Sequence, residues 1–236
     1  QMTGGSNYYN PFGSFGFGFP FGYGYGYDYS NPYGEGGESK EVLQGSGSGV
    51  VVAKGYVITN YHVVYSATDT DGKADSIRLY LYGKEYADYA IPATYVGGAM
   101  SYDIALLKVT DSEVLKTSSV RAVDTADSDN LLLGASVVAV GNPKSDGISA
   151  SSGIVSVPSE YITMTAADDQ TTVEFRVIRV DAAVNSGNSG GGLYNLKGEL
   201  VGIVNAKMVD SNVENIGYAI PSNIAINVAK NILANC

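Results

Sequence analysis

From about residue 40 onward, short β-forming runs follow one another with turn residues between them. Ser76–Tyr82 and Val173–Val177 alternate apolar with polar or amphipathic residues, the period of a half-buried strand. Further runs fall at 49–53, 56–59, 91–96, 104–109, 135–140, 153–157, 200–205 and 216–220. Lys54-Gly55, Tyr82-Gly83, Gly141-Asn142-Pro143 and Lys197-Gly198 punctuate them. Many short strands with little helix predict an all-β barrel or sandwich. The polar stretch 111–130 reads as a connection between two β halves of similar size. At the end, Pro221-Ser222-Asn223 is helix-start chemistry. Ile224, Val228 and Ile232 then recur every fourth residue, beside Ala225, Ala229 and Leu233. One amphipathic helix, about 221–234, is expected to pack on the β body.

Residues 1–39 are written differently. They carry five of the chain's six Phe, alternating with Gly as Phe15-Gly16-Phe17-Gly18-Phe19 and then Tyr23-Gly24-Tyr25-Gly26-Tyr27. Glycine raises the entropy cost of ordering, and no strand or helix period has a face to bury. This segment is either a disordered linker or an aromatic arm that buries its rings on a neighbouring subunit.

Composition removes several function classes. Lys and Arg number 14 against 24 Asp and Glu, a formal net charge of −10 at pH 7. That balance disfavours nucleic acid, whose binding needs clustered cations. The sequence holds no apolar run long enough to span a membrane. One Cys, at position 236, and one His, at position 62, leave no disulfide framework and no Cys- or multi-His metal site, so neither a metal nor a cofactor is expected.

Three short segments carry candidate chemistry. In Asn185–Gly192 a serine sits among glycines, so a tight turn can expose Ser189 and aim successive backbone N–H groups into one concavity. His62 lies just past the apolar run Val57–Thr59, and Asp103 directly precedes the apolar run Ile104–Val109. Alone, each has a plain structural reading: a loop, a satisfied structural histidine, a strand-end carboxylate. Together they supply nucleophile, base and orienter, in the order His, Asp, Ser, which suits acyl transfer in a cleft between two β halves.

The chain resembles the protease domain of the HtrA (Deg) family of bacterial trypsin-like serine proteases. The resemblance is carried by Gly45-Ser46-Gly47-Ser48-Gly49-Val50-Val51, Thr59–Val64, Tyr102–Val109, Val138–Pro143, Asp181–Asn185 with Gly187–Gly191, and Asn215–Pro221. It implies an all-β, chymotrypsin-like double antiparallel β-barrel with a C-terminal helix. The first barrel would occupy about 40–112 and the second about 130–220. By resemblance, Ser189 is the nucleophile, His62 the general base and Asp103 its orienter. Gly187, Asn188 and Ser189 form the oxyanion hole. Val184, Asn185, Val204, Asn205, Ala206, Ile216, Gly217 and Tyr218 line the substrate pocket. Ala183 stands six positions before Ser189, where trypsin-type relatives carry an Asp, so small or medium aliphatic side chains are expected at the cleavage point.

The same resemblance implies unfolded polypeptide substrates, a homotrimer held through the aromatic segment, and an extracytoplasmic bacterial location, in the cell envelope or secreted. Any membrane attachment would come from an upstream anchor. The chain reads as the family's protease domain without its PDZ domain. Ser186 and Gly192 depart from the family's more usual residues there and predict a looser oxyanion loop. The alternative function is a chaperone-like peptide-binding module with little or no cleavage.

Overall fold

The computed structural model describes residues 45–66, 72–84, 89–109, 112–143, 147–208 and 216–236. The aromatic segment 1–39 lies outside them. Two antiparallel β units follow one another along the chain. The first contains β1 (Val50–Ala53), β2 (Tyr56–Thr59), β3 (Ile77–Leu79), β4 (Ile91–Ala99) and β5 (Ile104–Val109). Among the described residues it is a sheet in the order β1-β2-β5-β4-β3. The second contains β6 (Ser136–Gly141), β7 (Ser149–Thr165), β8 (Thr172–Val180), β9 (Gly192–Asn195), β10 (Leu200–Asn205) and β11 (Gly217–Pro221). Its ladder closes into a barrel, β10-β11-β8-β7-β6-β9. The expected all-β architecture of two antiparallel units with a C-terminal helix is the one found, the second unit a closed barrel and the first, among the described residues, a five-stranded sheet.

The central strands are apolar on both faces because both faces are covered. In β5, Ile104 and Leu106 point into a cluster shared by the two units, with Phe175, Val177, Ile203 and Ile220. Ala105 and Leu107 point the other way, onto Val57 and Val64. In β11, Gly217 contacts Val180 and Val184 and Ala219 joins the barrel-interior cluster, whereas Ile220 joins the shared core. In β10, Ile203 faces the shared core and Val204 the barrel interior. The strict two-residue period breaks between Leu200 and Gly202, where the pairing with β9 shifts register. Leu200 and Ile203, an odd spacing apart, therefore share a face. Each fully buried aliphatic side chain in these clusters contributes about 1.5–3 kcal/mol of transfer free energy.

A short helix α1 (Tyr61–Val64) follows β2, and the connection 112–130, which opens with helix α2 (Glu113–Lys116), stitches the units together. Val123 N–H donates to Val51 O in the first sheet at 2.9 Å, and Leu200 N–H in the barrel donates to Asp124 O at 2.8 Å. Helix α3 (Ser222–Ala234) closes the chain. Its buried face is Ser222, Ala225, Val228 and Ala229, with Ile224 and Ile232 packed alongside. Leu233, expected on that face, is 42% exposed, because it lies off the stripe defined by Ala225, Val228 and Ala229. At the head of α3, Asn223 Nδ2 donates to Asp127 Oδ1 at 2.6 Å and to Asp129 Oδ2 at 2.9 Å. Arg176 of β8 also donates to Asp129, and these bonds hold its carboxyl below the ordinary carboxylate range.

Candidate active site

Asp103 and His62 meet because a single hydrogen-bonded turn carries each. Helix α1 (Tyr61–Val64) starts one residue after β2, and Asp103 sits between a 3-10 turn at Met100–Tyr102 and β5. Strands β2 and β5 are paired neighbours, with Thr59 opposite Ala105, so their ends bring the two residues together. Asp103 adopts a left-handed conformation, φ 50° and ψ 42°, which Asp tolerates better than most residues. Its carbonyl accepts from Tyr61 N–H at 3.1 Å and from Asn60 Nδ2 at 3.0 Å. Its carboxylate accepts from His62 N–H at 2.9 Å and contacts His62 Nδ1 at 2.6 Å. A carboxylate that close requires the ring proton on Nδ1, which leaves Nε2 as the basic nitrogen of the neutral ring.

Beside α1, burial and then the neighbouring Tyr61 hydroxyl push Tyr95 up to about 12. It therefore remains a neutral phenol at any ordinary working pH.

Ser189 arrives from the second unit on the turn before β9. Asn188 N–H donates to Asn185 O at 2.9 Å, and Gly187 alone of the two central residues has positive φ, +96°. That is the signature of a type II turn, which needs φ > 0 at its third position and so selects glycine. Gly190 follows at φ +84°, and a Cβ there would collide with Ser48 O and Thr59 Oγ1. The glycines are what let the serine turn lie directly on the residues leading to His62. Ser189 is buried, and its Oγ accepts from Ala206 N–H at 3.1 Å, which leaves the hydroxyl proton available to a base.

The residues expected to line the substrate pocket separate by strand face. Val184 and Val204 are buried in the barrel interior, with Ala206 packed against them. Gly217 faces them, and a Cβ there would stand 2.7 Å from Val184 Cγ2. Asn185 is exposed and Ile216 half-buried at the edge of this group. Tyr218 lies on the opposite face of β11 and packs on the shared core. Asn205 shares the face of Ile203, toward the first unit, and its Nδ2 donates to Asp103 Oδ2 at 2.6 Å. Its side-chain oxygen accepts from Lys207 N–H at 3.0 Å.

Asn205, expected to line the pocket, turns its side chain to the Asp–His pair. Asn60 and Ser48 also prove to be structural members of the site. Both stood inside the motif stretches Thr59–Val64 and Gly45–Val51, but a buried Asn or Ser carries no signal of its partner in sequence alone. Among the described residues no group of three or more His, Cys, Asp or Glu is placed to hold a metal ion.

Residues 47–203 match the family described as the trypsin-like peptidase domain. The chain belongs to the trypsin-like peptidases. Among curated proteins, this peptidase domain is 36% identical over 203 residues to the serine protease Do-like HtrA of Bacillus subtilis, covering 83% of this chain and 41% of that protein. It is 37% identical over 203 residues to the periplasmic serine endoprotease DegP of Escherichia coli, covering 85% of this chain and 38% of that protein. The chain thus spans about two fifths of the length of these relatives. Among solved structures, the HtrA-type protease AlgW with decapeptide superposes with a TM-score of 0.63 at 30% identity, covering 80% of this chain and 51% of that one. The trypsin-like domain is accordingly of the HtrA/Deg serine protease type, a family with periplasmic members. No helix among its described residues is long and apolar enough to cross a membrane.

Proposed function

We propose that this domain is a serine endopeptidase that hydrolyses peptide bonds of unfolded or misfolded proteins through Ser189, His62 and Asp103. The observation that carries the reading is that the Asp103–His62 pair and Ser189 Oγ are bonded to two successive residues, Asn205 and Ala206. Asp103 Oδ2 touches His62 Nδ1 on one side and accepts from Asn205 Nδ2 on the other, each at 2.6 Å. The next residue, Ala206, donates its N–H to Ser189 Oγ. The two β units are thereby joined at Asp103 and Asn205.

In the reaction, Ser189 Oγ attacks the scissile carbonyl and His62 Nε2 takes its proton, later returning it to the leaving amine. Asp103 keeps the ring tautomer and stabilises the imidazolium. The N–H groups of Gly187 and Ser189, with the turn through Asn188, receive the oxyanion. One such donor is typically worth about 2.7–4 kcal/mol of barrier. An extended, unfolded chain is the substrate that fits a cleft between two units.

Relatives described as periplasmic support an extracytoplasmic setting, and the role proposed there is protein quality control. The aromatic residues of 1–39 suit an assembly arm, and a homotrimer is the proposed state. Deleting that segment would leave the solution mass unchanged if the assembly role is wrong.

The deciding experiment incubates an unfolded model protein with this chain and with folded Ser189→Ala. Cleavage by the first and none by the second supports the reading. Equal cleavage by both would remove Ser189 as the nucleophile, and no cleavage by a folded wild-type protein that still binds the unfolded chain would replace the reading with a peptide-binding module.

A further inference from the structure

Ser48 lies in the Gly-Ser-Gly-Ser-Gly approach to β1 and has no part in the chemistry just described. It is half-buried, yet each of its polar atoms is engaged. Its N–H donates to Ser189 O at 2.8 Å, and its carbonyl accepts from Thr59 Oγ1 at 2.7 Å. Its hydroxyl donates to Gly187 O at 2.7 Å and accepts from Asn142 N–H at 2.9 Å. The hydroxyl direction is settled by its partners, since a carbonyl only accepts and a backbone N–H only donates.

Two of these four bonds go to Gly187 and Ser189, the residues whose N–H groups must converge on one oxygen. A third goes to Thr59, three residues before His62. A fourth ties in the end of β6. Gly187 has no side chain to anchor it and sits at positive φ, where a glycine has the widest freedom. The carbonyl bond from Ser48 supplies the restraint that its own side chain cannot.

We propose that Ser48 is a positioning residue, whose hydroxyl holds Gly187 in register with Ser189 so that the oxyanion site is assembled before substrate arrives. The inference rests on the protease reading above and deepens it. Preorganised donors aimed at developing charge act on the transition state and not on ground-state binding.

The test compares wild type, Ser48→Ala and Ser48→Thr, each shown to be folded by its thermal transition. Ser48→Ala is expected to lower kcat roughly 10- to 100-fold, somewhat less than outright loss of an oxyanion donor, with KM within about twofold. Affinity for a peptide boronic acid, which forms a tetrahedral adduct on the serine, is expected to fall by the same factor. Affinity for the non-covalent product peptide is expected to hold. Ser48→Thr, which keeps the hydroxyl, is expected to recover most of the loss. Should Ser48→Ala not fold, Ser48→Cys keeps the volume with a weaker donor and carries the same comparison.

Wild-type kcat and boronate affinity in Ser48→Ala would overturn the proposal, as would an equal loss of product-peptide affinity. Amide exchange separates this outcome from failure of the protease reading. The Asn188 N–H is expected to exchange about tenfold faster in Ser48→Ala, because the turn it closes has lost its anchor. If Ser189→Ala cleaved as well as wild type, the protease reading would fall. Unchanged exchange at Asn188 would then overturn the Ser48 role on its own account.

Discussion

Asn205 Nδ2 lies 2.6 Å from Asp103 Oδ2, joining residues 102 positions apart and belonging to different β units. The carboxylate oxygen that meets His62 is thus held from both sides, and the second barrel sets the direction of an acid carried by the first sheet. A hydrogen bond to a charged group is worth about 1.5–3 kcal/mol. Asn205→Ala is expected to lower kcat about 10- to 100-fold with little change in KM. Steady-state kinetics on a peptide substrate check it. Asp103→Asn, which disturbs the His62 tautomer, is expected to cost more, about 10⁴-fold. A wild-type kcat in Asn205→Ala would show that Asp103 needs no support from the second unit.

Specificity is expected to follow Val184. Its side chain stands 2.7 Å from where a Cβ on Gly217 would lie and offers no acidic partner to Lys or Arg, so small aliphatic groups are the expected fit. Sequencing the fragments of a degraded unfolded protein is expected to find cleavage after residues such as Val and Ala. Val184→Ala is expected to shift cleavage toward larger apolar residues by roughly 10-fold in relative kcat/KM, since a methylene or two is worth about 1–3 kcal/mol. Frequent cuts after Lys or Arg would contradict this pocket.

The interface between the units carries much of the stability. Leu106 is fully buried in the cluster that both share. Leu106→Ala is expected to cost about 2–5 kcal/mol, a drop in melting temperature of roughly 5–15 °C for a chain of this size. Leu132, 73% exposed, provides the control. Leu132→Ala is expected to change stability by less than about 0.5 kcal/mol. Similar losses in both variants would mean that the shared cluster is not where the folding energy lies.

Acid stability is expected to depend on Asp129. The Arg176 guanidinium, and after it the Asn223 amide, lower its folded-state pKa. A carboxyl whose folded pKa is depressed stabilises the fold above its ordinary pKa, and that contribution disappears as pH falls through the lowered value. Asp129→Asn is therefore expected to melt slightly below wild type at pH 7, the effect being small for so exposed a carboxyl, with the gap closing on acidification below about pH 4. A gap that widened toward low pH would reverse the sign and exclude this linkage.

Strand positions were legible because their cause is local. The runs at 56–59, 104–109 and 200–205 coincide with β2, β5 and β10. Apolar β-branched sequence between Gly-rich turns marks a strand regardless of what covers it. The 17 residues of β7 were seen only in part, because Ser, Pro and Glu along Ser149–Thr165 dilute the pattern. β9 was missed, since Gly192–Asn195 begins in glycine and is a strand only because β6 and β10 pair with it.

The sequence by itself determined the all-β class, the C-terminal helix and the candidate residues His62, Asp103 and Ser189, because residue type and the spacing of short motifs are local properties. Tertiary structure alone decided which groups meet. Asn205 turns to Asp103 because β10 presents its Ile203 face to the first sheet, and Tyr218 turns to the shared core, away from the Ala219 face, because β11 alternates. Ser48 reaches Gly187 because a turn of glycines lets two backbones approach without side chains between them. Contacts across more than a hundred residues depend on strand register and sheet closure, and neither is written in any one segment.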